Sequence, residues 1–162
     1  MNEKIIVIET RTQEIFKKMN LKNAINLMND KKFETWLGSI VNPGEKFYLI
    51  AENDAQLDVL IARIAKIGYE NQIELAFVLE FGEAQMEVFD TEKLKEDESA
   101  YTIVDIRNSS EIKNNRIFKD AIHIPLHELR ERTNKIPVHK PIVVHCAGGY
   151  RSVIAASLLK RE

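Results

Sequence analysis

Short runs of apolar, often β-branched residues alternate along this chain with segments whose apolar positions recur at helical spacing. Ile5–Ile8, Phe47–Ala51, Ile73–Leu79, Thr102–Asp105 and Ile142–His145 read as strands. Between the second and third of these, Leu57, Leu60, Ile61 and Ile64 share one helical face, with Asp54 as the expected N-cap and Gly68 just beyond the end. Thr91 is expected to open a short helix that contains Leu94, and a further helix is expected to begin near Arg151 or Ser152. Strands alternating with helices in this way predict an α/β protein in which a mainly parallel sheet is flanked by helices.

The pattern also repeats. Val7-Ile8-Glu9-Thr10-Arg11 is similar to Ile103-Val104-Asp105-Ile106-Arg107 at an offset of 96 residues, and Asn23–Leu27 is similar to Asp120–Ile124 at 97. Phe47–Ile50, with the helix after it, corresponds to Ile142–His145 and its helix at about 95. Three matches in one order at nearly constant offset predict two tandem α/β units. Residues 1–84 form the first and 85–162 the second, with the charged segment Asp90–Glu98 serving as the boundary and first exposed helix of the second.

Composition narrows the chemistry. The chain has 162 residues, 44% of them hydrophobic and 30% charged, enough to bury a core without covalent staples. One cysteine excludes an intrachain disulfide and a four-thiolate zinc site. A net charge of -2 argues against a dedicated nucleic-acid binder. No apolar run approaches the ~18 residues of a membrane span, and Met1–Thr10, with Glu3 and Glu9, does not read as a signal peptide. The expected setting is therefore the cytoplasm, with no membrane and no nucleic acid as partners. The charge is unevenly spread: Arg132–Arg161 contains six Lys or Arg and no Asp or Glu, so the remainder carries -8. Because the cysteine lies inside this run, an electropositive site for a small anion is one reading, and a chance run of solvated charges is the other.

The cysteine stands in Pro141-Ile-Val-Val-His-Cys146-Ala-Gly-Gly-Tyr-Arg151-Ser. A buried strand runs into Cys146, a glycine-containing loop follows, and then a helix begins. Successive amides in such a loop can form an anion nest, and the helix N-terminus adds partial positive charge, so thiolate is expected over thiol. Gly148 and Gly149 are expected to supply backbone angles closed to other residues, and Arg151 a permanent charge with planar donors. A lone cysteine is commonly an inert core residue, but this order of elements marks Cys146 as a reactive nucleophile.

Cys146-Ala-Gly-Gly-Tyr-Arg151-Ser resembles the active-site loop of rhodanese-type sulfurtransferases. Val104-Asp105-Ile106-Arg107 and Asp120-Ala121-Ile122-His123-Ile124-Pro125-Leu126 are similar to the "D-x-R" and "G-A-x-x-I-P" segments of that family. The resemblance implies two rhodanese-like three-layer domains. Cys146 and Arg151 would be catalytic in the second, with Ala147, Gly148, Gly149, Tyr150 and Ser152 binding substrate. In the first unit Ala51 falls in the cysteine position and Gln56 in the arginine position, with Glu52 and Asp54 in the loop, which implies a non-catalytic copy.

The resemblance further implies a ping-pong reaction in which sulfane sulfur passes from thiosulfate or a low-molecular-weight persulfide to sulfite or a thiol, within thiosulfate and persulfide metabolism or sulfide detoxification. No metal or organic cofactor is required by these residues. With no second cysteine, the acceptor must be exogenous, and a homo-oligomer stays open. The tandem order is similar to the C-terminal half of bacterial proteins that begin with a metallo-β-lactamase-fold persulfide dioxygenase. Such a domain is expected in the parent chain, although its His-x-His-x-Asp-His motif is absent here. The second unit is expected to lack a last strand and helix. Asn115-Arg116-Ile117-Phe118 departs from the family's Gly-His-Ile and would alter the pocket rim.

Two rivals remain from other classes. A cysteine phosphatase or arsenate reductase also brackets its loop with His-Cys and Arg-Ser, but Cys146 and Arg151 enclose four residues where protein tyrosine phosphatases have five. A persulfide-sensing or partner-binding module without turnover is the other. Pro125 between His123 and His127 breaks any helical metal pair, so those two are expected to pack or cap locally. Asp105 and Arg107 are expected as a structural pair, His145 beneath the loop, His139 in a loop and Trp36 in the core.

Overall fold

The computed structural model describes residues 1–162, except for the side chain of Asn114. The chain divides into two compact units, Met1–Glu87 and Val88–Lys160. In the first unit β1 (Ile6–Glu9), β2 (Ala24–Asn26), β3 (Phe47–Ala51) and β4 (Ile73–Val78) form an all-parallel sheet in the order β2-β1-β3-β4. Helices α1 (Gln13–Lys18), α2 (Phe33–Ile40) and α3 (Asp54–Ala65) connect these strands. β1, β2 and β3 are buried at every residue, as expected for parallel strands covered on both faces.

The second unit carries α4 (Thr91–Glu96), β5 (Thr102–Asp105), α5 (Ser109–Asn114), β6 (Ile122–His123), α6 (Leu126–Leu129), β7 (Ile142–His145) and α7 (Tyr150–Arg161). Its parallel sheet has the order β6-β5-β7. Successive strand residues point to opposite faces. Ile103 and its cross-strand neighbour Val143 accordingly pack with Leu94 of α4, Ala121, Tyr101 and Phe118 on one face. Val153, Ile154, Ala155 and Leu158 are buried along α7, and the Ser157 hydroxyl is satisfied by the Val153 carbonyl at 2.7 Å. No helix among the described residues is long and apolar enough to cross a membrane.

Corresponding hydrogen bonds recur in the two sheets. Ile8 pairs with Ile25 and Leu49, while Val104 pairs with Ile122 and Val144. The Thr10 amide bonds the Ile50 carbonyl and the Ile106 amide bonds that of His145, both at 3.0 Å. Leu27 bonds back to Glu9 as Ile124 does to Asp105. Each central strand ends in a buried carboxylate paired with the arginine two residues on, Glu9–Arg11 and Asp105–Arg107.

Several sequence expectations shift at their edges. β1 begins at Ile6 and includes Glu9, whose buried carboxyl pairs with Arg11. β2 and β6, of three and two residues, are too short to give an alternating signal. The N-cap of α3 is Asn53, whose side chain accepts the Gln56 amide at 2.9 Å, and Asp54 is the first helical residue. α7 begins at Tyr150, one residue earlier than expected, because Gly149 occupies its N-cap. Trp36 is 8% exposed, as a core residue should be.

Candidate active site

Cys146 follows the last residue of β7 and is buried, with 9% of its surface exposed. The loop that follows, Ala147–Gly149, is exposed, and α7 starts at Tyr150. The backbone amide of Gly149 donates to Sγ of Cys146 at 3.1 Å. Gly149 adopts φ +79°, the left-handed conformation that lets the chain turn from strand into helix and brings its amide back over the sulfur. Gly148 has no such angle, and a Cβ added there meets nothing within 4 Å. The conformational requirement expected of both glycines therefore rests on Gly149. The Ser152 hydroxyl donates to the Gly149 carbonyl at 2.8 Å and pins the far side of the turn, while Tyr150 is half-buried.

Arg151 lies in the first turn of α7, and its guanidinium faces α5. Its two terminal nitrogens donate to the two carboxylate oxygens of Glu111, each at 2.7 Å, a planar bidentate pair. Glu111 is further held by the Asn108 amide, which donates to Oε2 at 2.9 Å. The Arg151 hydrogen bonds hold the Glu111 carboxyl down at about 2, against the opposing effect of burial. The same pair raises Arg151 above the ordinary guanidinium range, with the charge of Cys146 contributing in the same direction.

Beneath the loop, Arg107 clasps Asp105 through Nε at 2.9 and 3.1 Å and through a terminal nitrogen at 2.6 Å, and its amide reaches Oδ1 at 3.1 Å. Burial works against the charge on Asp105, but these bonds outweigh it and leave the carboxyl below its usual range. This is a structural ion pair at the end of the central strand. His123 contacts the Arg107 carbonyl through Nε2 at 2.9 Å, a local tie, while His127 is exposed at the start of α6. His145 directly precedes Cys146. Its ring packs edge-on against Phe118 at 5.1 Å, and its Nε2 is buried without a hydrogen-bond partner. Burial pushes the imidazole below the usual histidine range, against the pull of Asp105. Phe118 belongs to the Asn115–Phe118 segment, which thus packs against the residue before the cysteine.

Sequence reasoning passed over Glu111. Asn108-x-x-Glu111 is a helix-start signature, which points to the helix but not to a partner 40 residues away. The cation-rich run also has a different character from the expected positive patch, because Arg132 pairs with Glu128 and Arg151 with Glu111. Among the described residues, no group of three or more His, Cys, Asp or Glu side chains is placed to hold a metal ion.

Residues 90–162 match the rhodanese-like domain family. This domain holds Cys146, Arg151, Glu111 and the Asp105–Arg107 pair. A protein named sulfurtransferase from Allochromatium vinosum is 35% identical over 60 residues, covering 37% of this chain and 55% of that protein. The uncharacterized protein YqhL of Bacillus subtilis is 33% identical over 60 residues, covering 37% of this chain and 47% of its own. The chain spans about half the length of the curated relatives it matches. Among solved structures, a thiosulfate sulfurtransferase from Pseudomonas aeruginosa aligns at 17% identity with a TM-score of 0.42, over 94% of this chain and 34% of that one. SseA from Escherichia coli, described as a 3-mercaptopyruvate sulfotransferase, aligns at 14% identity with a TM-score of 0.39, over 98% of this chain and 87% of that one.

The first unit differs at the equivalent turn. Ala51 ends β3 where Cys146 follows β7, and only Glu52 and Asn53 separate it from α3. This turn is one residue shorter than Ala147–Gly149, so counting from the helix start puts Ala55, rather than Gln56, opposite Arg151.

Proposed function

We propose that the protein is a sulfurtransferase that carries sulfane sulfur as a Cys146 persulfide. The observation that carries this reading is the Gly149 amide donating to Sγ of a cysteine seated at the mouth of a strand–loop–helix turn, inside the rhodanese-like match. An N–H aimed at sulfur binds a negative sulfur more strongly than a neutral one. The same donor would stabilise the persulfide anion in the way an oxyanion hole stabilises oxygen.

In the first half-reaction the Cys146 thiolate attacks the outer sulfur of the donor. A new S–S bond forms on Sγ, the donor's S–S bond breaks, and its electron pair leaves with sulfite from thiosulfate, or with a thiolate from an alkyl persulfide. In the second half-reaction a thiol or sulfite attacks the outer sulfur of the Cys146 persulfide, the S–S bond breaks toward Sγ, and the thiolate is regenerated. Arg151 orders the start of α7 and supplies positive charge near the sulfur. Ala147, Gly148, Gly149, Tyr150 and Ser152 line the entry to it. The acceptor comes from solution, since the chain has one cysteine. Abundant small thiols make the cytoplasm the fitting compartment.

The first unit is proposed as a silent copy of the second. The recurring hydrogen bonds support this, as does Ala51 at the place of the nucleophile.

Intact-mass measurement after incubation with thiosulfate or an alkyl persulfide tests the reading. Wild type should gain one sulfur atom and return it to cyanide, sulfite or a thiol, and Cys146→Ser should gain none. Hydrolysis of an aryl phosphate by a wild-type protein that takes up no sulfur would overturn it.

A further inference from the structure

Arg151 and Arg107, the two arginines of this site, are both paired with carboxylates. Arg151, with a side chain 14% exposed, is occupied end-on by both oxygens of Glu111. Glu111 is itself fixed by the Asn108 amide, so its carboxylate is held in place by α5 and does not depend on Arg151 alone for its position. Arg107 is consumed by Asp105, both nearly sealed from solvent at 4% and 3%. Glu111 of α5, Asp105 of β5, Arg107 and Arg151 of α7 therefore form two pairs. Beside them stands the Gly149 amide, which points at Sγ.

That balance treats donors unequally. An alkyl persulfide presents one negative sulfur, which the amide and the helix start can accommodate. Thiosulfate carries a second negative charge on its sulfonate, and the Arg151 charge that could offset it is already shared with the Glu111 carboxylate. Two unit charges a few ångströms apart in a partly desolvated site interact by enough to change affinity about tenfold or more.

We propose that Glu111 is a specificity-determining residue: by neutralising and holding Arg151 it turns the Cys146 loop against doubly charged sulfonate donors and toward singly charged alkyl persulfides. This inference rests on the sulfurtransferase reading for its meaning in catalysis, but its electrostatic core can be measured without turnover.

Thiosulfate binding is measured by calorimetry on full-length Cys146→Ser protein and on the same protein with Glu111→Gln. Gln keeps an oxygen for the Asn108 amide while removing the charge. Thiosulfate should bind about tenfold more tightly to the double variant. With Cys146 intact, Glu111→Gln should raise the ratio of kcat/KM for thiosulfate to that for 2-hydroxyethyl persulfide by a similar factor, chiefly through KM for thiosulfate. In an Arg151→Gln background the same substitution should still raise the ratio, because the uncompensated Glu111 carboxylate repels the sulfonate there too. Glu111→Asp retains the charge and should keep the wild-type preference even if overall rates fall.

Unchanged or weaker thiosulfate binding in the Gln variant overturns the proposal, as does a preference shift in Glu111→Asp equal to that in Glu111→Gln. Tighter thiosulfate binding in a protein that takes sulfur from neither donor would instead overturn the sulfurtransferase reading and leave the charge effect of Glu111 standing.

Discussion

Gly148 and Gly149 are adjacent and chemically identical, yet the turn constrains them differently. Gly149 is held at φ +79°, so Gly149→Ala should cost about 1–2 kcal/mol in urea unfolding. It should also slow sulfur loading by displacing the amide from Sγ. Gly148→Ala enters open space at an ordinary angle and should stay within about 0.5 kcal/mol of wild type. Glu111 makes a pH-dependent contribution of definite sign. Its carboxyl lies near 2 in the folded protein against an ordinary 4.5, so its stabilisation is fully present above 4.5 and is lost as pH falls toward about 2. Acid titration of stability should therefore be shallower in Glu111→Gln across that window, by a small amount because the pair is partly exposed. The proposed nucleophile, Cys146, stands out because glycines, an arginine and a strand surround it within a few positions. Its electrostatic setting does not, because the residue that cancels Arg151 lies in another element and announces itself locally only as a helix start.

At the scale of elements, legibility followed length. Five of the seven strands stand out as apolar runs, whereas β2 and β6 owe their pairing to the central strand of each sheet and carry almost no signal of their own. The α3 cap shows a finer ambiguity. Asn53 and Asp54 are both good caps, and only the backbone places Asn53 outside the helix with its side chain on the Gln56 amide. Asn53→Ala should cost about 1 kcal/mol, read in thermal or denaturant unfolding, while Asp54→Ala should cost less. The carboxylate–arginine pairs that close β1 and β5 are also unequal. Asp105 takes a backbone amide as well as the Arg107 side chain and stays below its usual range. Glu9 is pushed above its usual range by burial in spite of Arg11, and its Oε2 has no partner. Asp105→Asn should destabilise the second unit by about 3 kcal/mol, since it leaves Arg107 buried without a counter-charge. A denaturant midpoint unchanged by that substitution would contradict the structural role given to the pair.

At the scale of the whole molecule, each unit has its own sheet and its own buried residues. The repeated sequence pattern pointed to two units, while the shorter turn after β3 became visible only in three dimensions. Charge shows the opposite limit. A run of six cations counted along the chain reads as a positive patch, but folding brings carboxylates from other elements to at least two of them. The chain contains a single tryptophan and a single cysteine, and they fall in different units: Trp36 in the first and Cys146 in the second. Each unit thus carries a native reporter of its own opening, indole fluorescence in one and thiol accessibility to an alkylating reagent in the other. Leu49→Ala removes a fully buried side chain from the first sheet and should lower the indole transition by about 2–5 kcal/mol. The extent to which thiol labelling accelerates in the same variant then measures, with no engineered probe, whether opening of the first unit changes that of the second.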